Sequence, residues 1–128
     1  MEKLHKAKNI EIYYDKENGY MYCDWIGFQN KASIMESGKV ILDFVKKNKY
    51  TKILNDNTKV TGPWQDAAEW TSTVWFPEMI KAGLQNFAWV FSSNIFAELS
   101  AKKAMPASDV IKSFLSVNDA KGWLIEQN

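Results

Sequence analysis

The sequence predicts an α/β domain whose mixed, mostly parallel sheet of about five strands carries an N-terminal β-hairpin. Three observations lead there. Asn18-Gly19, the preferred pair for a two-residue hairpin turn, stands between two alternating stretches. Phe87-Ala88-Trp89-Val90-Phe91 is apolar on both alternating faces, as suits a strand covered on both sides. Capped helical stretches fill the intervals, so the order reads β-β-α-β-α-β-α-β-α. Strands alternating with helices imply parallel pairing through right-handed crossovers, with an antiparallel edge from the hairpin.

One domain, residues 1–128, accounts for the chain, because two halves would each bury too little apolar surface. Residues 1–8 are charged and expected to be a mobile tail. Centring a type I′ turn on Asn18-Gly19 places Ile12 opposite Trp25, Tyr14 opposite Cys23 and Lys16 opposite Met21. These share a largely apolar face with Ile10. The other, tyrosine-rich face pairs Tyr13 with Asp24, Asp15 with Tyr22 and Glu11 with Ile26. The first helix starts at a capping box, Ser33-Ile34-Met35-Glu36, or at Asn30. It carries Ile34, Gly38, Ile41 and Val45 on one face and ends near Lys46-Lys47.

Thr51–Asn55 reads as a short strand running into a polar loop, Asn55-Asp56-Asn57-Thr58, closed by Gly62-Pro63. A second helix begins near Trp64, with Ala67, Ala68, Trp75 and Met79 on one face. Pro77 lacks the N–H that would bond residue 73, which predicts a kink around residues 73–76. Gly83 is the expected stop. After the Phe87–Phe91 strand, Ser92-Ser93-Asn94 caps a short helix through Ala104, ended by Pro106. Val110–Leu115 is the last strand. Ser116-Val117-Asn118-Asp119 is a second capping box, opening a helix that buries Val117, Ala120, Trp123 and Leu124.

Composition narrows the function classes. Apolar residues make up 46% of the chain and aromatic ones 14%, enough for a globular core. Sixteen basic residues against 15 acidic ones leave no field to recruit nucleic acid. The charged start does not read as a signal peptide, and no stretch approaches a transmembrane segment. The expected location is the cytoplasm. Cys23 is the only cysteine, which rules out an intrachain disulfide and argues against a cysteine-based zinc site. The sole histidine, His5, lies in the expected tail, so a Ser or Cys nucleophile would lack its usual base. Neither a cofactor nor a metal is expected. Asp66 and Glu69, three apart on one helix, are the carboxylates a hydrolytic enzyme would have to use.

The element order and the closing Val117…Asp119-Ala120…Trp123-Leu124 pattern resemble the STAS-like fold of anti-sigma-factor antagonists, an architecture shared with lipid-carrying SEC14-type domains. The stretch Leu54-Asn55-Asp56-Asn57…Gly62-Pro63-Trp64…Ala67-Ala68-Glu69-Trp70, with Trp75-Phe76-Pro77 and Phe87-Ala88-Trp89-Val90, is similar to a subgroup of small STAS/SEC14-like bacterial proteins. The resemblance spans nearly the whole chain and implies a fold rather than a chemistry. Phosphoregulated antagonists carry a phosphorylatable Ser in an Asp-Ser-x-Gly stretch. The matching neighbourhood here, Pro63-Trp64-Gln65-Asp66, has no hydroxyl, and Thr61 is the nearest candidate.

Ligands of parallel α/β sheets bind at the carboxyl ends of the strands. Gln29-Asn30, Asn55-Asp56-Asn57-Thr58 and Ser92-Ser93-Asn94 fall there, with Asp56 the expected central side chain. The same residue types also cap helices and shape turns without binding anything. On the second helix Trp64 and Trp75 share a face while Trp70 is turned to the flank, where it is expected to meet a partner, a second subunit or a ligand. The leading expectation is a non-catalytic regulatory or protein-interaction module, acting on another protein or on itself as a homodimer. The runner-up is a carrier for a small apolar or lipid-like ligand held against Trp64, Trp70, Trp75 and Phe76. A hydrolytic enzyme is the distant third.

Overall fold

Alternating side chains in the first third of the chain build three antiparallel strands, β1 (Glu2–Lys6), β2 (Ile10–Asp15) and β3 (Tyr20–Phe28). The structure is a computed structural model that describes residues 1–127. Helix α1 (Lys31–Asn48) leads to β4 (Lys52–Thr61). A composite helix over 65–81 then joins a 3-10 turn (Gln65–Ala67), α2 (Ala68–Trp70), a π-helical turn (Thr71–Trp75) and α3 (Phe76–Lys81). Strand β5 (Asn86–Val90), helix α4 (Ile95–Ala104), strand β6 (Ile111–Phe114) and helix α5 (Val117–Glu126) complete the chain. The α/β class and the mixed sheet are as expected. The sheet has six strands rather than about five, in the spatial order β1-β2-β3-β4-β5-β6, and β3 to β6 are parallel.

The sixth strand is the segment expected to be a mobile tail. Lys3 pairs with Tyr13 and His5 with Ile12, and Leu4 and Ala7 pack against the core. Strand pairing with β2 outweighs the charge of this segment. The hairpin register also differs, by two residues. Ile10 opposes Trp25, Ile12 opposes Cys23, Tyr14 opposes Met21 and Asp15 opposes Tyr20. On the other face Tyr13 opposes Tyr22 and Glu11 opposes Asp24. The cause is Asp15, whose carboxylate accepts from the Asn18 N–H (3.0 Å) and Asn18 Nδ2 (2.9 Å), closing a four-residue loop. Gly19 supplies the left-handed conformation at φ 72°. Because strand side chains alternate with period two, a two-residue shift leaves every side chain on its expected face.

A sequential order of parallel strands with right-handed crossovers puts the connecting helices on one face. That inner face buries Ile34, Ile41 and Val45 of α1, Trp75, Phe76 and Met79 of the 65–81 helix, and Ala97, Ala101 and Ala104 of α4. Among the described residues only α5 lies on the outer face, where Ala120 and Leu124 bury Leu54, Ala88 and Val90. Helix α1 starts at Asn30, which forms a capping box with Ser33 in place of the Ser33–Glu36 pairing. The kink expected before Pro77 is the π-helical turn, in which the Phe76 N–H reaches the Thr71 carbonyl. The run Asn55–Thr58 is strand rather than loop, paired on both sides as far as Asp56.

Candidate functional site

The carboxyl ends of β3, β4 and β5 open toward α1 and the 65–81 helix, and the residues there enclose a cavity. Alternation along β4 aims Ile53, Asn55 and Asn57 inward. A bulge between Asp56 and Lys59 then resets the alternation, so that Val60 returns to the inner face. On β5 the same alternation aims Phe87, Trp89 and Phe91 inward and the smaller Ala88 and Val90 toward α5. Trp89 stands directly beside Asn55 in the register. From β3 come Trp25 and, just beyond the strand, Gln29. Ile34 and Gly38 of α1 form the facing wall, and Trp64, Trp70, Thr71 and Trp75 complete it. Five of the six tryptophans therefore line one space of about 30 Å³, room for one or two water molecules.

Each wall is held by a specific contact. The Trp64 N–H donates to Ser100 Oγ (2.9 Å), tying the loop after β4 to α4. Trp75 Nε1 donates to the Gly38 carbonyl (2.7 Å), and Trp25 Nε1 donates to Asn55 Oδ1 (2.8 Å). Gln29 is fully engaged: its Nε2 donates to the carbonyls of Asn9 and Ile26, and its Oε1 accepts from Asn9 and Ser33. Gly38 is small for a reason. A Cβ there would stand 3.0 Å from the Trp70 ring and 3.1 Å from Trp75 Nε1. One donor is left over. Trp89 is 2% exposed, and its Nε1 has no acceptor, a cost of about 1–3 kcal/mol unless something else supplies one.

Among the expected site residues, Gln29, Asn55, Asn57, Trp64, Trp70 and Trp75 meet at this cavity. Asp56, Thr58, Ser92, Ser93 and Asn94 do not. Asp56, expected at the centre, points to the opposite face, where it accepts from the Tyr22 hydroxyl (2.6 Å) and the Thr58 N–H (2.9 Å). Thr58 and Ser93 are exposed, and Thr61 is exposed at the strand end. Ser92 donates to the Val60 carbonyl (2.7 Å), and Asn94 caps α4 through the N–H groups of Phe96 and Ala97. Trp70 is partly buried and leans inward on Gly38, so it is a wall of the cavity more than an outward contact. Phe76 is buried behind it against Trp75 and Trp89. Trp25 and Trp89 were the missed residues. Their signal was present in the strand alternation, which aims both at the face that the helices cover.

The outer face holds a second polar group. Lys59 donates to Asp24 Oδ2 at 2.9 Å, beside the Tyr22–Asp56 pair, while Asp24 Oδ1 is buried without a partner. Burial raises the Asp24 pKa, and Lys59 only partly opposes it. Burial also pushes the Tyr22 hydroxyl up, reinforced by its bond to Asp56. Cys23 is fully buried and its thiol is pushed far up by desolvation, the opposite of an activated nucleophile. Among the described residues no group of three His, Cys, Asp or Glu side chains is placed to hold a metal ion, and no helix is long and apolar enough to cross a membrane. No protein-family model and no curated protein matches the chain.

Proposed function

We propose that this protein is a non-catalytic binding module, on a STAS-like frame, whose tryptophan-lined cavity takes a small, mainly apolar molecule. The observation that carries the reading is a cavity lined by five tryptophans at the carboxyl ends of parallel strands. Indole walls supply large apolar contact area with few rotatable bonds to immobilise. The cavity at rest is smaller than such a ligand, so binding displaces a wall. Trp70 is the least buried of the five indoles and sits directly before the π-helical turn, a feature frequent at functional sites. Beside it an open groove of about 400 Å³, lined by Phe28, Asn30, Pro63, Gln65 and Asp66, shares Gln29 with the cavity and offers a way in. Asp66 thus lies at the mouth, away from the buried indoles.

Native mass spectrometry of protein purified from cells tests the reading. A stoichiometric small-molecule adduct that is absent from Trp64→Ala supports it. A bare protein whose melting temperature no small apolar compound raises would overturn it. The other reading, a regulatory module that binds a protein partner or forms a homodimer, has one observation in its favour: Ile95, Phe96 and Leu99 on α4 are 62%, 57% and 48% exposed. Under that reading Phe96→Ser abolishes complex formation in analytical ultracentrifugation and leaves the cavity untouched.

A further inference from the structure

We infer that the Asp24–Lys59 pair on the outer face is a latch for the bulge in β4, holding Asn57 in the cavity wall, so that proton uptake by Asp24 loosens the binding site from the opposite side of the sheet. The consequence for binding rests on the cavity being the binding site, whereas the latch itself does not. Between the register pairs Asp24–Asp56 and Ile26–Lys59, β3 has one residue, Trp25, and β4 has two, Asn57 and Thr58. The surplus residue makes the bulge, and both Trp25 and Asn57 line the cavity. Side-chain bonds hold the bulge from both faces. On the inner face Trp25 Nε1 donates to Asn55 Oδ1 (2.8 Å), and Asn55 Nδ2 donates to Asn57 Oδ1 (3.3 Å). On the outer face Asp56 accepts from the Thr58 N–H and the Tyr22 hydroxyl, and Lys59 Nζ donates to Asp24 Oδ2 at 2.9 Å. That last bond runs diagonally over the bulge, from the residue before it on β3 to the residue after it on β4. It is the ion pair of the set, and a proton on Asp24 removes it.

The surroundings of Asp24 decide that it takes up the proton before Glu11 does. Glu11 stands opposite it on β2 and Asp56 beside it on β4. Tyr13, Tyr22 and Lys59 complete the titratable groups that face it. Lys3 and Lys6 of β1 offset Glu11, whose pKa is held below its ordinary value chiefly by the bond from Tyr13. Asp24 goes the other way. Burial raises its pKa against the Lys59 ammonium, and the Asp56 and Glu11 charges add to the rise. The Lys59 side chain is 59% exposed, against 10% for Asp24, so a released ammonium turns to water and leaves the far end of the bulge untied. An ion pair kept at a cost in stability fits a role in fixing register more than in strengthening the fold.

The test follows three NMR signals of the intact protein across pH: the Asp24 carboxyl carbon, the Asn57 side-chain amide and the Trp25 indole N–H. The Asn57 and Trp25 signals are expected to shift with the midpoint of the Asp24 carboxyl, above the ordinary carboxylate value. In Asp24→Asn they should hold the low-pH position throughout. Lys59→Met removes the ammonium from an exposed stem and keeps Asp24. It should show the low-pH position at neutral pH, and it gives an independent reading should Asp24→Asn not fold. Benzene is the binding probe. Its affinity for the wild type should fall about fivefold or more between neutral pH and the acid limit of the Asp24 titration, and Asp24→Asn should bind it at the weaker value at every pH. Asn57 signals that ignore the Asp24 titration, or that still follow pH in Asp24→Asn, would overturn the latch. A benzene affinity independent of pH would overturn its control of binding and leave the binding-module reading standing. Benzene that binds at no pH, with Asn57 still following Asp24, supports the latch and overturns the binding reading.

Discussion

Gly38 sets how closely the two tryptophans of the 65–81 helix approach α1. Its missing Cβ would sit 3.0 Å from Trp70 and 3.1 Å from Trp75 Nε1. Gly38→Ala gains about 0.5–1 kcal/mol of helix propensity but overpacks the contact at a cost of about 1–3 kcal/mol, so a net loss is expected in urea unfolding. Removing the obstructing ring should remove the penalty. In a Trp70→Ala background the same substitution is expected to be neutral or stabilising, a coupling that a double-mutant cycle reads directly. Asp24 gives a second test, by pH. Its pKa is raised by desolvation, so the folded state binds its proton more tightly than the unfolded state does. The associated stability is complete below the unfolded value and is lost as pH rises through the folded one. Asp24→Asn should therefore gain on the wild type between strongly acidic and neutral pH. A difference that shrinks with rising pH would mean that the Lys59 pair outweighs burial.

At the scale of elements the hairpin shows how one side chain overrides a turn preference. Asn18-Gly19 favours a two-residue loop, yet Asp15 captures both the backbone and the side chain of Asn18 and draws in a longer one. Gly19 at φ 72° should resist substitution, and Gly19→Ala is expected to cost about 1–2 kcal/mol. The Asp15 carboxyl is held below its ordinary pKa, chiefly by its bond to the Asn18 side chain. Its contribution is present above the unfolded pKa and is lost as pH falls through the folded one, the reverse of Asp24. The penalty of Asp15→Ala, measured by urea unfolding, should thus be present at pH 7 and vanish in acid. The 65–81 helix tells a related story. Pro77 can donate to neither Ser72 nor Thr73, and the chain widens into a π-helical turn rather than breaking. Helical periodicity predicted the disturbance and its place, and the packing around it selected its form.

Across the whole molecule, two unequal cores share one sheet. The larger lies under α1, the 65–81 helix and α4, and the smaller under α5 alone. Strand β5 belongs to both, with Phe87, Trp89 and Phe91 on one side and Ala88 and Val90 on the other. This shared strand predicts a single cooperative transition. Leu124→Ala, at a fully buried position in the small core, should cost about 2–5 kcal/mol. It should lower the melting temperature read from tryptophan fluorescence, to which the five indoles of the larger core contribute, and from far-ultraviolet circular dichroism by the same amount. Separate transitions for the two probes would show that α5 unfolds by itself.

The α/β class, the mixed sheet, the α4 and α5 caps at Asn94 and Ser116, and the inward and outward faces of the hairpin were legible in the residues, because capping chemistry and the period of side-chain direction are local properties. The alternation of Phe87–Phe91 likewise carried the two-sided burial of β5. What the sequence left open was decided by contacts between segments far apart in the chain. Residues 1–8 look like a solvated tail until β2 offers them a partner, and Asn55–Thr58 looks like a loop until β3 and β5 pair with its start. The site followed the same division. Asn55, Asn57, Trp64 and Trp70 could be singled out as residues suited to binding, but Asp56 had no local mark of facing the other way. A single bulge after Asp56 returns Val60 to the cavity, and the close approach of α1 at Gly38 brings tryptophans 25, 64, 70, 75 and 89 around one space. Both are consequences of strand register and helix packing, which arise only when the distant parts of the chain meet.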